Sequence, residues 1–217
     1  MPRIIYCNST KHLIALLILL KICTNNAIGQ DHLIPENGHL NEDKSTNDYN
    51  STLVDILGID SDKSNYIARM VCLPAFEPEW AITITEVDNM HWIELSVATE
   101  SVSSSKNPRK VTATKRRILF DSDCAIILRK IWIKMLLSVK YPSEPPEFIV
   151  ADATDYRFSC FAIGRGKLAG KISEPMLDTL PKKLTEIGHL LRTYVEDDDL
   201  EKPKCISKIL DLSTGFN

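Results

Sequence analysis

A period of two in the apolar residues predicts strands in the central part of the chain. The segments AITITEV and MHWIELSVATES alternate apolar and polar residues, and Asp88-Asn89 separates them. This pattern predicts an antiparallel hairpin. Because alternate residues of a strand share a face, one face of the second strand carries His91, Ile93, Leu95 and Val97. We expect that face to contact the core.

Two later segments have the apolar spacing of helices. The first, residues 124–141, is apolar most of the way round and follows Asp121-Ser122-Asp123, whose side chains are suited to capping. We expect it to end at Tyr141, because Pro142 disfavours the α conformation in the residue before it. The second helix is predicted to open near Thr179, with Pro181 in its first turn.

Further β-rich runs surround these helices. They are ARMVCLPAF, VTATKRRILF and the segment TDYRFSCFAIGRGKLAGKIS, in which Gly164-Arg165-Gly166 predicts a turn. Strands, a helix, strands and a helix therefore follow one another along the chain. This order predicts an α+β fold with a mainly antiparallel sheet of about five strands and two long helices packed on one face.

The first 29 residues have the features of a secretory signal peptide. Basic residues precede an apolar core, residues 13–20, which is shorter than the roughly 20 residues a membrane-spanning helix needs. Ala27-Ile28-Gly29 fits the small-x-small pattern before a cleavage site. We therefore expect residues 1–29 to be removed and the protein to be periplasmic or secreted, without an integral membrane span. Lipidation at Cys23 and an uncleaved anchor are the alternatives.

The segment from residue 30 to residue 64 is acidic and poor in apolar residues. Residues 30–62 contain eight acids and one base, Lys44. Such a composition predicts a largely disordered leader, with residues 51–59 as a short helix or docking segment. Residues 65–217 have the length of a single α+β domain, and nothing in that length requires oligomerisation, so we expect a monomer.

The number of cysteines in the exported protein depends on removal of the signal peptide. Cys7 and Cys23 lie within it, and four cysteines remain after its removal: Cys72, Cys124, Cys160 and Cys205. An even number in an exported chain predicts two disulfides, with three connectivities open. Buried free thiols are the competing interpretation.

Catalytic and metal-binding motifs are scarce in the sequence. There is no G-x-S-x-G or H-E-x-x-H, and the S-x-x-K match at residues 103–106 lies in a polar loop. We therefore expect no cofactor and no metal. An envelope hydrolase would need a site assembled from distant residues, for which the candidates are Glu77, Glu79, Asp152, His91 and His189.

The distribution of charge gives the clearest functional indication. Residues 106–117 carry six positive charges, whereas the chain without residues 1–29 has 23 Lys and Arg against 29 Asp and Glu. Protection of an edge strand, binding of an acidic protein or anionic envelope component, and nucleic-acid binding are three explanations, and the last is the weakest. The leading hypothesis is a small exported non-enzymatic binding protein, of the inhibitor or immunity type; a structural envelope protein is a further alternative. The predicted contact residues are Arg109, Lys110, Lys115, Arg116, Arg117 and Arg165.

Overall fold

The structure, a computed structural model, describes residues 30–36, 44–59, 66–141, 152–197 and 201–216, with the backbone alone for residues 44–47. The strands are β1 (Ile34–Pro35), β2 (Tyr66–Leu73), β3 (Trp80–Val87), β4 (Met90–Ala98), β5 (Ala113–Leu119), β6 (Asp155–Ala162) and β7 (Gly166–Ser173). The helices are α1 (Lys44–Leu57), α2 (Ser122–Leu137), α3 (Leu180–Glu196) and α4 (Lys202–Ser213). Short 3-10 helices span Pro108–Lys110 and Thr214–Phe216.

One antiparallel sheet contains all seven strands, in the order β1-β7-β6-β2-β3-β4-β5. The α+β prediction is thus confirmed at the level of the fold class. The expected five strands and two long helices are corrected to seven strands and four helices among the described residues. One of the additional strands, β1, and one of the additional helices, α1, come from the acidic segment that precedes residue 65.

The main core lies between one face of the sheet and the helices α2, α3 and α4. Met70, Ile82 and Phe158 of the sheet are buried there against Trp132 of α2 and Leu191 of α3. The indole Nε1 of Trp132 donates a hydrogen bond to the carbonyl of Arg69 at 3.1 Å, so the largest side chain of α2 is fixed on the central strand β2. We call this side of the sheet the core face. The predicted packing of two long helices on one face is found here.

The ends of the long helices follow from local capping. Asp121 accepts a hydrogen bond from the amide of Cys124 at the start of α2, and Thr179 accepts one from Lys182 at the start of α3. However, α2 ends at Leu137 and not at Tyr141. The Ser138 amide and hydroxyl both donate to the Met135 carbonyl, and the Lys140 amide donates to the carbonyl of Leu33 beside β1. Pairing with the leader therefore draws the chain out of the helix before Pro142 is reached.

The opposite side of the sheet is covered in part by α1, and we call it the α1 face. Leu53 and Leu57 of α1 are buried in a second apolar cluster with Val71, Leu73 and Ala81 of the sheet. The expectation of a largely disordered leader is therefore wrong for residues 44–57, because two leucines one turn apart find an apolar strand surface on which to pack. The predicted short helix within residues 51–59 is confirmed as the second half of α1.

The signal-peptide prediction concerns residues 1–29, which lie outside the described residues. In the part of the chain that the structure does describe, no helix combines the length and apolar character that crossing a bilayer requires.

Candidate functional site

The two faces of the sheet differ strongly in charge. Cross-strand partners share a face, so the register assigns every strand residue to one side. The strand residues of the α1 face include six cations, Arg69, Lys115, Arg117, Arg157, Lys167 and Lys171, and two carboxylates, Glu94 and Asp155. On the core face the charged strand residues are one cation, Arg116, and one carboxylate, Glu86. The α1 face is therefore basic although the protein as a whole is acidic.

Three consecutive cations of β5 take different positions at the edge of the sheet. Lys115 lies with its amine against Gly58, directly after the last turn of α1, where helix carbonyls favour positive charge. The guanidinium of Arg117 lies 4.9 Å from the ring centroid of Trp92. Arg116 points to the core face and donates a hydrogen bond to the carbonyl of Glu196 at the end of α3, at 2.9 Å. All three side chains remain exposed.

The other predicted contact residues do not all belong to this surface. Arg109 and Lys110 are exposed in the 3-10 helix just before β5. Arg165 is exposed in the turn between β6 and β7, and the order of the strands places β6 four positions from β5, roughly 19 Å away. Arg165 instead lines a cleft of about 640 Å³ with Asp88, Asn89 and others. Arg165 therefore lies on a different part of the surface from the β5 cations, and its role in binding stays a prediction.

Sequence reasoning missed four of the six cations of the α1 face, and one of these four, Arg69, lies on β2. Arg157, Lys167 and Lys171 lie on β6 and β7, and Arg157 is 3.7 Å from the Glu36 carboxylate of the leader. The alternation within GKLAGKIS places both of its lysines on one face, and that signal was present in the sequence. Assigning Arg157 to the same face as these two lysines requires the pairing of β6 with β7, which the sequence does not show.

The acidic leader contacts the basic face at several points. Besides the Glu36–Arg157 pair, Arg69 donates from Nη1 to the carbonyl of Ile59 at 3.0 Å and from Nε to the Thr83 hydroxyl at 3.1 Å. The Ser96 hydroxyl donates to the Leu57 carbonyl at 2.9 Å. The α1 face thus accepts an acidic, amphipathic segment from its own chain.

Part of the α1 face lies beyond the residues that α1 buries. Here the register brings Trp92 opposite Leu119 and Val87 opposite Met90. Met90 is 46% and Leu119 56% exposed, and Trp92 and Val87 are half-buried. We call Val87, Met90, Trp92, Leu119 and the adjacent Arg117 the open strip. It combines apolar side chains with a cation, as protein-binding surfaces commonly do.

The Glu77 and Glu79 pair does not form a two-carboxylate site. Glu77 is exposed, whereas Glu79 is fully buried and accepts three hydrogen bonds. The donors are the Tyr49 hydroxyl at 2.8 Å, the Val102 amide at 2.8 Å and the Ser103 amide at 3.1 Å. Burial and the neighbouring Glu79 charge raise the pKa of Tyr49, which keeps its hydroxyl protonated as a donor. Glu79 therefore joins α1 and the loop after β4 to the sheet.

The two histidines proposed for a hydrolase lie on the core side of the sheet. His91 Nδ1 is 2.9 Å from the Ser122 hydroxyl, and His189 of α3 packs edge-on against Trp80 with its Nε2 3.3 Å from the Tyr156 hydroxyl. Burial, with the charge of Arg192, lowers the pKa of His189.

Glu79 contacts α1 on the opposite side of the sheet from the two histidines, and Asp152 is exposed ahead of β6. The structure does not bring the five hydrolase candidates together. Within the described ranges, no three His, Cys, Asp or Glu side chains form a metal-binding group.

The four cysteines predicted to form disulfides are buried free thiols: Cys72 on β2, Cys124 on α2, Cys160 on β6 and Cys205 on α4. The pairing of Arg69 with Ser159 places Cys160 four residues along the sheet from Cys72, roughly 13 Å away. A disulfide needs Cα atoms within about 7 Å, so these two cannot be bridged. Burial raises the pKa of Cys72 and of Cys124 to about 12 and that of Cys160 to about 11.

We expect these four thiols to be unreactive in the folded protein and reactive once it is unfolded. The thiolate is the nucleophile, and burial disfavours it. N-ethylmaleimide should leave all four unmodified in native buffer and modify all four in denaturant without reductant, as mapped by peptide mass spectrometry. Recovery of disulfide-linked peptides from any two of them would contradict this expectation and support the disulfide prediction.

Comparison of the chain with protein-family models, with curated proteins and with solved structures gives no match in any of the three. Functional inference therefore depends on the geometry of the chain itself.

Proposed function

We propose that this protein is a small non-enzymatic binding protein whose partner is an acidic protein, bound at the edge of the α1 face around β5. The observation that carries the proposal is the segregation of charge between the two faces of the sheet. Six cations and two carboxylates occupy strand positions on the α1 face, against one of each on the core face. Such a surface attracts and orients an acidic partner.

The composition of the surface favours a protein over a nucleic acid as the partner. The cations of β5 lie next to apolar side chains, since the exposed guanidinium of Arg117 lies over the ring of Trp92. The adjacent residues Met90 and Leu119 are exposed and apolar. Proteins provide carboxylates and apolar side chains together, whereas phosphate contacts dominate nucleic-acid affinity. Residues 1–29 favour a periplasmic or secreted location for this binding, and an inhibitor or immunity role is compatible with it.

Reversal of two charges tests the proposal. We expect the double variant Lys115→Glu/Arg117→Glu to lose its partner, with affinity reduced at least about tenfold, because each reversed charge removes an attraction and adds a repulsion on the order of 1 kcal/mol. The measurement is cross-linking capture from the native host, quantified by mass spectrometry. Arg165→Glu is the matched control, because it reverses an exposed charge on a different part of the surface.

The outcome is decided by the difference between variants. Proteins captured equally by the wild type and Arg165→Glu but lost with the double variant would support the proposal. Equal capture by all three proteins would exclude the β5 edge as the contact surface. Circular dichroism of the double variant shows whether α1, whose end contacts Lys115, stays folded.

A further inference from the structure

Gln30, the first of the described residues, is bound to the chain at the end of β7. Its backbone amide donates a hydrogen bond to the Glu174 carbonyl at 3.2 Å, and its side-chain oxygen Oε1 accepts one from the Ser173 amide at 3.0 Å. Its main-chain carbonyl accepts a third from the Met176 amide at 3.0 Å. The chain at Gln30 is therefore a structured part of the domain.

The residues that follow Gln30 continue this attachment. Leu33 is 2% exposed, and its carbonyl accepts a hydrogen bond from the amide of Lys140, beyond the end of α2, at 3.0 Å. Ile34 and Pro35 form β1, which pairs with β7. These contacts fix the position of Gln30 beside the end of β7.

Removal of residues 1–29, as the sequence predicts, would make Gln30 the N-terminal residue of the mature chain. An N-terminal glutamine can cyclise without a co-reactant. Its α-amine attacks the side-chain carbonyl carbon Cδ, a C–N bond forms, and the bond from Cδ to the amide nitrogen Nε2 breaks. The attacking amine gives one proton to the leaving nitrogen, which departs as ammonia. The product is a five-membered lactam, pyroglutamate.

The atoms of Gln30 that the fold holds are those that the lactam keeps. Cyclisation retains one hydrogen on the backbone nitrogen, the side-chain oxygen and the main-chain carbonyl, which are the groups that make the three hydrogen bonds. In the lactam the N–H and the ring carbonyl stand side by side, which suits a donor and an acceptor from the consecutive residues Ser173 and Glu174. The leaving nitrogen Nε2 has no hydrogen-bond partner among the described residues.

Cyclisation also removes a charge from a half-buried position. An α-amine is largely protonated near neutral pH, and partial burial disfavours an ion without a counter-ion. The neighbouring carboxylates already have partners: that of Asp31 is 2.5 Å from His32 Nδ1, and that of Glu174 accepts from the Thr154 amide at 2.9 Å. The neutral lactam keeps the hydrogen bonds of Gln30 and needs no counter-ion.

We propose that the mature chain begins with pyroglutamate at position 30 and that this lactam is bound by the end of β7. The inference rests on removal of residues 1–29 and goes beyond binding of a partner at the β5 edge, on which it does not depend. The modification leaves no free α-amine, and its attachment to β7 keeps the terminus away from exopeptidases.

Mass spectrometry of the full chain, produced with residues 1–29 in a host that exports it, tests the modification. We expect a mature protein with the mass of residues 30–217 less one ammonia, and an N-terminal peptide without a free α-amine. Gln30→Asn is the matched control, because its side chain is one carbon shorter and cannot close the same ring, so this variant should keep its α-amine. A mature chain that retains an uncyclised glutamine, or that starts at another residue, would overturn the proposal.

Enzymatic removal of the lactam tests its binding to β7. Pyroglutamyl aminopeptidase should release it at least about tenfold more slowly from the folded chain than from a synthetic peptide of residues 30–36 with the same N terminus, because the bound residue must first open locally. Equal rates of release would show that the fold does not hold the lactam and would overturn its placement.

Hydrogen exchange locates the contact. The Ser173 amide should exchange several-fold more slowly in the wild type than in Gln30→Asn, since the shorter side chain withdraws the oxygen that this amide contacts. Circular dichroism shows whether the variant is folded. Equal exchange of Ser173 in the two folded proteins would contradict the proposed contact with β7, whatever the chemistry of the N terminus.

Discussion

Replacement of Glu79 by alanine is expected to lower the free energy of unfolding by about 3–5 kcal/mol, since several hydrogen-bond donors lose their acceptor and each buried donor left unsatisfied costs on the order of 1–3 kcal/mol. Three donors lose their acceptor at once: the Tyr49 hydroxyl and the amides of Val102 and Ser103. The first belongs to α1 and the other two to the loop after β4. The variant should therefore also loosen α1 and that loop.

The conservative change Glu79→Gln should cost less, about 1–3 kcal/mol. The amide keeps one acceptor oxygen at nearly the same position but loses the charge and the second acceptor. A wild type more stable than Glu79→Gln, and Glu79→Gln more stable than Glu79→Ala, would show that the hydrogen bonds stabilise the fold and not only the volume of the side chain.

Urea unfolding followed by circular dichroism measures these differences. The matched control is Glu77→Ala, because Glu77 lies two residues away on the exposed side of the same segment and should change stability by no more than about 0.5 kcal/mol. Equal effects of Glu77→Ala and Glu79→Ala would show that the buried network does not exist in solution.

Local features of the sequence predicted much of the sheet and its helices. The cap at Asp121 and the Gly164-Arg165-Gly166 turn are found as expected, because both depend on residues close together in the chain. The core-facing side of β4 is also found, with Ile93 and Leu95 in the main core. These predictions needed no knowledge of which strands pair.

The layer that α1 forms on the α1 face was not predicted, because the stability of this helix depends on contacts between residues that are distant in sequence. The α1 segment is mostly polar, and its helix is stabilised by packing more than by intrinsic propensity. A signal did exist in β2, whose residues are all buried and whose sequence YIARMVCL is nearly continuous in apolar character. Such a run is typical of a strand covered on both faces. That property requires a second covering element, and α1 is that element.

The candidate site shows the same division between local and distant information. The cations of β5 are adjacent in sequence and were found, whereas their grouping with Lys167 and Lys171 on one face depends on the order of the strands. The distance of Arg165 from the β5 cations also depends on that order, because exposure at a turn does not show which surface the turn belongs to. The sequence does not show that Glu79 accepts hydrogen bonds from α1 and from the loop after β4, so Glu79 remained a candidate for catalysis.

Replacement of Leu57 by alanine tests whether the leader is part of the folded domain. Leu57 is fully buried between α1 and the sheet, so the substitution should lower the free energy of unfolding by about 2–5 kcal/mol through lost burial and the remaining cavity. Asp55→Ala, two residues earlier and exposed, should be neutral or slightly stabilising, because alanine has the higher helix propensity. Urea unfolding measures both, and hydrogen exchange should show faster exchange of the α1 amides in Leu57→Ala. A disordered leader would instead make the two variants indistinguishable, and the α1 face would then be a basic sheet surface open along its whole length.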